Sequence, residues 1–209
     1  MEGGRHAKTS EGRHSKTTAA SGGGRQRHGI SETMSWVACI AGAIALAMLL
    51  RIFVFEITMV DGQSMEPSLF SHESLFVEKV SRYSDNIERG QIVIVNYPGR
   101  DGVFVKRVVG LPGDTVAVRN GSLFINGSQI DEPYIKEPMA YTLEEQIIPA
   151  GYCFVLGDNR NHSTDSHVIG PISCDMILGH ALFVIWPLPD FGPLADYSLM
   201  CESSAPEPA

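Results

Sequence analysis

The longest apolar stretch of the chain lies near its amino end. The residues from Met34 to Leu50 carry no charge, and beyond Arg51 the apolar run continues to Phe55. As a helix, the uncharged part reaches about 26 Å and the extended part about 33 Å, which brackets a hydrocarbon core of about 30 Å. A buried core helix and a removable leader segment are alternatives, but Trp36 and the basic flank favour a membrane helix. The pattern predicts a transmembrane anchor over residues 34–55.

Beyond the anchor, apolar residues cluster in short runs. Each run is rich in β-branched residues and is separated from the next by Gly, Pro, Asn or Asp, which is typical of strands joined by turns. The predicted strands are Leu75–Val80, Gln91–Val95, Val103–Val109, Thr115–Arg119, Ser122–Ile125, Tyr152–Leu156 and Ile177–Trp186. We therefore predict a mainly β fold over residues 56–190, with an antiparallel sheet that is coiled or barrel-like.

Two Asn-Gly pairs mark tight turns inside this β region. Asn120-Gly121 and Asn126-Gly127 flank the predicted strand Ser122–Ile125. Because Asn-Gly is the preferred pair for a type I′ turn, the spacing predicts a three-stranded meander. We place this meander in a small β subdomain inserted over residues 115–156.

The two ends of the chain have a different composition. Residues 1–33 are rich in Gly, Ser, Thr and His, and residues 191–209 are rich in Pro, Ser and Glu. Such segments cannot bury enough apolar surface to offset the entropy of ordering. We predict a disordered basic tail over residues 1–33 and a disordered tail over residues 191–209.

Charge is divided unevenly along the chain. The formal net charge is −8, and residues 1–33 hold six Lys/Arg against three Asp/Glu, which leaves −11 for the remainder. An acidic domain repels phosphate, so we predict no nucleic-acid partner. By the positive-inside rule the basic end lies in the cytoplasm, and the β domain lies on the outer side of the cytoplasmic membrane. The lipid bilayer is therefore a predicted partner of this single-pass protein.

A candidate nucleophile follows the anchor closely. Ser64 lies in the segment Asp61–Pro67, and a serine hydroxyl attacks only when a neighbouring base removes its proton. Histidine is the usual base, so a Ser/His/Asp triad that uses His162 or His167 is one possibility. The other candidate base is Lys106.

The neighbours of Lys106 in sequence are apolar. Burial among them would penalise the charged amine, and lowering its pKa from about 10.4 to about 8 requires roughly 3 kcal/mol at 1.36 kcal/mol per unit. Strand alternation alone also fits a surface lysine. However, Phe104 and Val108 share the face of Lys106, and a lone amine between apolar residues suggests a catalytic purpose.

The cysteines and the metal-ligating residue types support no committed site. Cys153 and Cys174 can pair outside the cytoplasm or pack as small apolar residues. A metal site built from His162, Asp165 and His167 is disfavoured. We predict no metal and no cofactor.

Four segments resemble the sequence boxes of the type I signal peptidases, which are membrane-anchored Ser/Lys endopeptidases. The segments are Ser64–Leu69, Arg89–Val93, Lys106–Asp114 and Gly157–Ser166, in the family's order between Phe55 and Pro187. The lysine box, Lys-Arg-x-x-Gly-x-Pro-Gly-Asp, matches throughout. The chain departs from the family's boxes at Ser68, Gln91 and His167, where the family has Thr, Asp and Arg.

The resemblance implies a role for five residues. Ser64 would be the nucleophile, and Lys106 would be the general base that later protonates the leaving amine. Ser163 would orient the lysine amine by hydrogen bonding. Asp165 would pair with Arg107 as a structural support.

Three further points of the resemblance concern the surroundings of these residues. The backbone N–H of Ser64 would hold the oxyanion, while the serine that gives a second donor in some relatives is Gly62 here. His167, in place of arginine, would weaken the support of Asp165 or make it pH-dependent. We interpret Asp158 and Asn159 as a turn that caps a strand end.

The family resemblance implies a membrane-bound serine endopeptidase that removes N-terminal signal peptides from exported pre-proteins after small-x-small sites such as Ala-x-Ala. The substrate would bind as an extended strand, and residues 58–64 and 103–106 would line shallow pockets. Signal-peptide-bearing pre-proteins are the predicted partners, with the secretion translocon as a further candidate. Two alternatives are a maturation peptidase for one dedicated substrate and a non-catalytic anchored β-domain that serves as a binding module.

Overall fold

The computed structural model describes residues 27–83, 86–97 and 99–195. The predicted tails over residues 1–26 and 196–209 lie outside this range. The chain divides into two compact units, and the boundary between them falls after Ala45, inside the first helix.

The first helix, α1, spans Arg27–Phe53. Its segment Glu32–Phe53 is 22 residues long with a mean hydropathy of 2.2, so it is long and apolar enough to cross a membrane. The helix begins seven residues before the predicted start of the anchor, so residues 27–33 are helical and the tail prediction is wrong for them. The helix ends at Phe53, two residues before the predicted end of the anchor, because the chain enters a strand at Phe55.

Twelve strands follow within the described residues. In chain order they are β1 Phe55–Met59, β2 Ser74–Glu78, β3 Ile92–Val95, β4 Phe104–Gly110, β5 Thr115–Arg119, β6 Ser122–Ile125, β7 Ser128–Gln129, β8 Leu143–Ile147, β9 Tyr152–Leu156, β10 Ile172–Ser173, β11 Ile177–Trp186 and β12 Gly192–Pro193. One short helix, α2, spans Ser166–Ile169. The seven predicted strands all occur, with bounds that differ by two residues at most.

The larger sheet carries the residues of interest. Its strand order is β1-β2-β11-β3-β4-β9-β10, and β12 pairs with β11. Neighbouring strands are antiparallel, for example β3 with β4 and β4 with β9. The predicted fold class, a mainly β chain with a curled antiparallel sheet and one apolar helix near its amino end, is confirmed.

A four-stranded sheet of order β7-β6-β5-β8 is inserted between β4 and β9. The two Asn-Gly turns are present, with φ of 50° and 81° at Asn120 and Gly121 and 52° and 80° at Asn126 and Gly127. Positive φ at both central residues is the type I′ geometry that the sequence predicts. The predicted insertion is too long at its carboxyl end, because β9 pairs with β4 of the larger sheet.

Strand β4 is buried on both faces. Val105 packs in a cluster with Met65 and Leu69, whereas Val108 packs in another cluster with Val93 and Val155. Every residue of β4 after Phe104 is buried. A strand in this position excludes water from both of its faces. An ionisable side chain on it must therefore pair with an opposite charge or become neutral.

Cys153 of β9 and Cys174 form a disulfide, with their Cα atoms 5.6 Å apart. This geometry lies within the usual range for a disulfide. The bond joins β9 to the short helical turn Cys174–Met176 that precedes β11. Of the two possibilities left open by the sequence, the structure has the disulfide.

The carboxyl end of the described chain belongs to the fold. Gly192 and Pro193 pair with β11, and the N–H of Leu194 donates to the carbonyl of Leu182 at 2.8 Å. The prediction of a disordered tail from residue 191 is therefore wrong for residues 191–195. These residues return to the larger sheet because β11 offers unpaired backbone groups along its outer half.

Candidate active site

Ser64 lies in a turn that is fixed at both ends. The turn follows β1, where the N–H of Val60 donates to the carbonyl of Glu73 at 2.8 Å and closes the loop. Met65 and Leu69, on the inner side of the turn, are fully buried in the core. Ser64 itself is only partly buried, so its hydroxyl lies at the surface of a rigid segment.

Lys106 approaches Ser64 from β4. It pairs in register with Val93 of β3, and its side chain is 2% exposed. Its Nζ lies 2.7 Å from the Oγ of Ser64, although the two residues are 42 positions apart in sequence. The structure thus brings the two predicted catalytic residues within hydrogen-bond distance.

The environment of the Lys106 amine favours its neutral form. Burial lowers the pKa of Lys106 from its ordinary value to about 8. The negative charges of Asp165 and Asp158 act in the opposite direction, while the positive charge of Arg100 lowers the pKa further. Desolvation is therefore the dominant cause, as the apolar neighbours in the sequence predict.

The loop after β9 packs closely against the Ser64 turn. At Gly157 a side chain would overlap the carbonyl oxygen of Ser64 and the hydroxyl of Ser163. Asn159 donates its backbone N–H to the carbonyl of Ser64 at 3.0 Å and its side-chain Nδ2 to the carbonyl of Gln63, also at 3.0 Å. Only glycine at position 157 permits this close approach of two backbone segments.

Ser163 is partly buried, with its Oγ beside Gly157, but it does not make the predicted hydrogen bond. Within the part of the chain that the structure describes, its Oγ has no hydrogen-bond partner. The Nζ of Lys106 is instead bonded to Ser64. The predicted contact between Ser163 and the lysine amine is therefore absent from this structure.

Asp165 is fully buried and does not pair with Arg107, so that part of the prediction is wrong. Its Oδ2 accepts the N–H of Gly157 at 2.8 Å, and its Oδ1 lies 2.7 Å from Nδ1 of His167. The His167 ring stacks on Tyr141, with ring centroids 4.1 Å apart. Since His167 is engaged by Asp165 and Tyr141, the structure does not place it as the base of a Ser/His/Asp triad.

Arg107 pairs with Asp158 instead. Its Nε and Nη2 donate to the two carboxylate oxygens at 2.9 and 2.7 Å, and both side chains are fully buried. The Nη1 atom donates to the carbonyl of Gly90 at 2.6 Å. The reason is register: Arg107 pairs with Leu156 of β9, and Asp158 follows two residues later on the same side.

Four residues of this region were not recognised as supports from the sequence, namely Asp158, Glu132, Arg160 and Tyr134. Asp158, which we interpreted as a turn residue, forms the buried ion pair with Arg107. Arg160 donates to both carboxylate oxygens of Glu132 at 2.6 Å each, and the Arg107 guanidinium lies 4.2 Å from the ring centroid of Tyr134. The sequence feature that could have indicated such supports is the pair of charged residues, Asp158 and Arg160, that comes shortly after the apolar strand β9.

The described part of the chain has no cluster of metal-ligating side chains. Over residues 27–83, 86–97 and 99–195, the structure contains no group of three or more His, Cys, Asp or Glu side chains placed to hold a metal ion. The chemistry that the site can perform is proton transfer between a hydroxyl and a buried amine.

Comparisons of the sequence and the structure relate the chain to known proteins. Residues 33–186 match the model of the signal peptidase family, peptidase S26. Signal peptidase I of Bacillus amyloliquefaciens is 39% identical over 75% of this chain and 90% of its own, and that of Bacillus licheniformis is 39% identical over 73% and 88%. A solved signal peptidase I from Enterococcus faecalis is 29% identical, with a TM-score of 0.42 over 46% of this chain and 96% of its own. The chain therefore belongs to the signal peptidase family, peptidase S26, and is a serine endopeptidase.

Proposed function

We propose that the protein is a membrane-bound signal peptidase that removes N-terminal signal peptides from exported pre-proteins, with Ser64 as nucleophile and Lys106 as general base. The observation that carries the proposal is the 2.7 Å approach of the Lys106 Nζ to the Ser64 Oγ. The pKa of about 8 supports it, because about a tenth of the amine is then neutral at pH 7.

The reaction follows from this geometry in two steps. Neutral Lys106 takes the hydroxyl proton as the Ser64 Oγ attacks the scissile carbonyl carbon, and the Ser64 N–H stabilises the oxyanion. The lysine then gives the proton to the leaving amine as the C–N bond breaks, which leaves an acyl ester on Ser64. Lys106 next takes a proton from a water molecule as that water attacks the ester carbonyl carbon. The lysine then gives this proton to the Ser64 Oγ as the ester C–O bond breaks, which releases the signal peptide and restores the free enzyme.

Ser163 and Asp165 act as supports in this proposal. The hydroxyl of Ser163 and the carbonyl of Ser64 both lie against Gly157, so Ser163 is placed beside the Ser64 turn, where it would orient the Lys106 amine when substrate binds. Asp165 holds Gly157 through the N–H of that residue and so keeps the loop against Ser64. The Nδ1 of His167 lies 2.7 Å from the Oδ1 of Asp165 and helps to hold that carboxylate in place.

Cleavage after small-x-small sites follows from the same elements. Residues 58–64 and the β4 segment 103–106 flank Ser64 and Lys106, and they would form shallow pockets that a large side chain cannot enter. The helix Glu32–Phe53 would anchor the enzyme in the cytoplasmic membrane with its amino end inside. The lipid bilayer, the pre-protein and the secretion translocon are the partners of this arrangement.

The test uses the full-length protein in detergent with a pre-protein that carries an Ala-x-Ala site. We expect cleavage after the second alanine, and a loss of at least about a thousandfold in kcat for Ser64→Ala and Lys106→Ala. The matched controls are Ser122→Ala and Lys136→Met, which alter surface residues of the inserted sheet. Retained activity in either dyad variant would contradict the proposal.

A panel of pre-proteins separates the two alternatives. Cleavage of several unrelated signal peptides is expected for a general signal peptidase, whereas a dedicated maturation peptidase would cut one. A non-catalytic binding module would cut none, and its substrate affinity would be unchanged in Ser64→Ala.

A further inference from the structure

Asn159 holds the backbone on both sides of the nucleophile. Its side-chain Nδ2 donates to the carbonyl of Gln63 at 3.0 Å, and its own N–H donates to the carbonyl of Ser64 at 3.0 Å. These carbonyls belong to the two peptide groups that meet at the Cα of Ser64. Asn159 is only 4% exposed, so water does not compete effectively for these bonds.

The bond to Gln63 has a consequence for the N–H of Ser64. The peptide between Gln63 and Ser64 is trans, so its C=O and N–H point in opposite directions within one plane. Holding the carbonyl on the protein side therefore aims the N–H of Ser64 away from the protein, toward bound substrate. The carbonyl also accepts the N–H of Glu66 at 3.2 Å, so two bonds fix the plane.

Accepting these bonds also changes the strength of the Ser64 donor. A peptide group whose carbonyl accepts hydrogen bonds is polarised, and its N–H becomes a stronger donor. An oxyanion hole depends on donors that are already oriented before charge develops. The amide of Asn159 thus affects both the direction and the strength of the group that would meet the oxyanion.

We propose that Asn159 is a positioning residue that aims the Ser64 N–H at the oxyanion of the tetrahedral intermediate. This inference rests on the proposed function, since it assumes that Ser64 is the nucleophile. Asn159 does not touch the substrate carbonyl. It acts through the peptide group that joins Gln63 to Ser64.

The surrounding loop holds Asn159 in place. Its carbonyl accepts the N–H of His162 at 3.0 Å, and the preceding residue, Asp158, is fixed by the buried ion pair with Arg107. Gly157 permits the close approach, because any side chain there would meet the carbonyl of Ser64. An asparagine suits this position because the NH₂ group of its side chain donates to the Gln63 carbonyl, whereas the carboxylate of an aspartate can only accept hydrogen bonds.

The test compares Asn159→Ala, Asn159→Asp and Asn159→Ser with wild type, in the full-length protein. Removing one oxyanion donor costs about 10²–10³ in kcat, and a misdirected donor loses part of this, so we expect a fall of about 10- to 100-fold with KM within about twofold. Asn159→Asp keeps the shape but places an oxygen against the Gln63 carbonyl, so its loss should be at least as large as that of Asn159→Ala. The inhibition constant of a peptide aldehyde, whose oxygen becomes an oxyanion when Ser64 adds to it, should rise by the same factor as kcat falls.

The matched control is Asn161→Ala. Asn161 lies in the same loop but bonds to Glu137 and to the backbone of Pro138 and Ala140, with no contact to the Ser64 turn. Circular dichroism gives a temperature at which each variant is folded, and the rates are compared there. In Asn159→Ala and Asn159→Ser the inflection of the pH profile near 8 should not move, because neither change adds or removes a charge near Lys106.

Two results would overturn the inference. One is a kcat within about twofold of wild type in all three Asn159 variants. The other is an unchanged aldehyde inhibition constant beside a reduced kcat, which would indicate a purely structural role. Failure of the proposed function is distinct, since wild type would then not cleave the pre-protein or Ser64→Ala would remain active.

Discussion

At the scale of single residues, the buried amine of Lys106 is the base of the proposed mechanism. Its side chain is 2% exposed, and desolvation lowers the pKa to about 8 in spite of two nearby carboxylates. A lysine with an ordinary pKa of about 10.4 would be almost wholly protonated at neutral pH and could not accept a proton. The same burial that creates the base must therefore cost folding free energy, and both effects can be measured.

The first prediction concerns activity and pH. Below pH 8 the Lys106 amine is protonated, so kcat/KM should rise about tenfold per pH unit and level off above about 8. Initial rates between pH 6 and 9.5, with a substrate that has no titrating group in that range, give the profile. A flat profile between pH 6 and 8, or an inflection above 10, would contradict the assignment.

The second prediction concerns stability. The pKa of Lys106 is lower in the folded protein than in the unfolded chain, so between pH 8 and about 10.4 the unfolded chain binds more protons and stability rises with pH. At pH 7 the Lys106 amine is mostly charged in both the folded and the unfolded state, so nearly the full free-energy cost of burying its charge is present. Lys106→Met should therefore be inactive yet more stable by about 3 kcal/mol at pH 7, because lowering the pKa from about 10.4 to about 8 costs roughly 3 kcal/mol at 1.36 kcal/mol per unit.

Urea unfolding at pH 7 and at pH 10.5 checks this prediction. The advantage of Lys106→Met should shrink at the higher pH, because wild type no longer has a charge to desolvate. The control is Lys136→Met, which makes the same substitution at an exposed lysine. An equal advantage at both pH values would show that apolar packing, and not the amine charge, is responsible.

At the scale of elements, β4 and the loop after β9 form the site together. Adjacent residues of β4 have different tasks: Lys106 reaches Ser64, and Arg107 reaches Asp158. Because β4 is buried on both faces, each of these charges needs a specific partner or loses its proton. The Arg107 pair holds the loop that carries Asn159 against the nucleophile.

The third prediction tests this ion pair. Asp158→Asn leaves the buried guanidinium without its carboxylate and should lower the free energy of unfolding by about 3–5 kcal/mol, with loss of activity. Replacing both partners, Arg107→Met with Asp158→Leu, should cost less than the sum of the single changes. Glu145→Gln in the exposed pair with Arg119 is the control, and should change stability by less than about 1 kcal/mol. Additive losses in the double variant would argue against a direct coupling.

The elements were predictable where local signals exist. Thr115–Arg119 and Ser122–Ile125 match their predicted bounds because Asn-Gly turns define their ends. The partner of Arg107 was not predictable, since alternation identifies a face but not which carboxylate, 51 residues away, lies on it. Alternation also could not predict that Lys106 approaches Ser64, and that prediction came from the resemblance of the sequence boxes. The lowered pKa of Lys106 was predicted from its apolar neighbours in the sequence. Helix α1 begins earlier than predicted because polar residues do not by themselves prevent a helix from extending.

At the scale of the whole molecule, one of the hydrophobic clusters that pack against the larger sheet includes the disulfide. Cys153 packs with Val93, Val108 and Val155, and its bond to Cys174 ties β9 to the turn before β11. These two strands flank β3 and β4 in the sheet order. The disulfide therefore links the strand on one side of the β3–β4 pair to the turn before the strand on the other side, and β4 carries the proposed base.

The last prediction follows from that position. A disulfide between residues 21 apart restricts the unfolded chain, and its removal in the double variant Cys153→Ala, Cys174→Ala should lower the free energy of unfolding by about 3 kcal/mol. Dithiothreitol should lower the free energy of unfolding of wild type, measured with urea, by a similar amount. It should leave the free energy of unfolding of the variant unchanged. At low urea the kcat of the variant should stay within about threefold of wild type, because the Ser64 turn and its contacts with Asn159 involve neither cysteine. A large fall in kcat in a folded variant would mean that the disulfide, and not the packing of β4 alone, holds Lys106 within reach of Ser64.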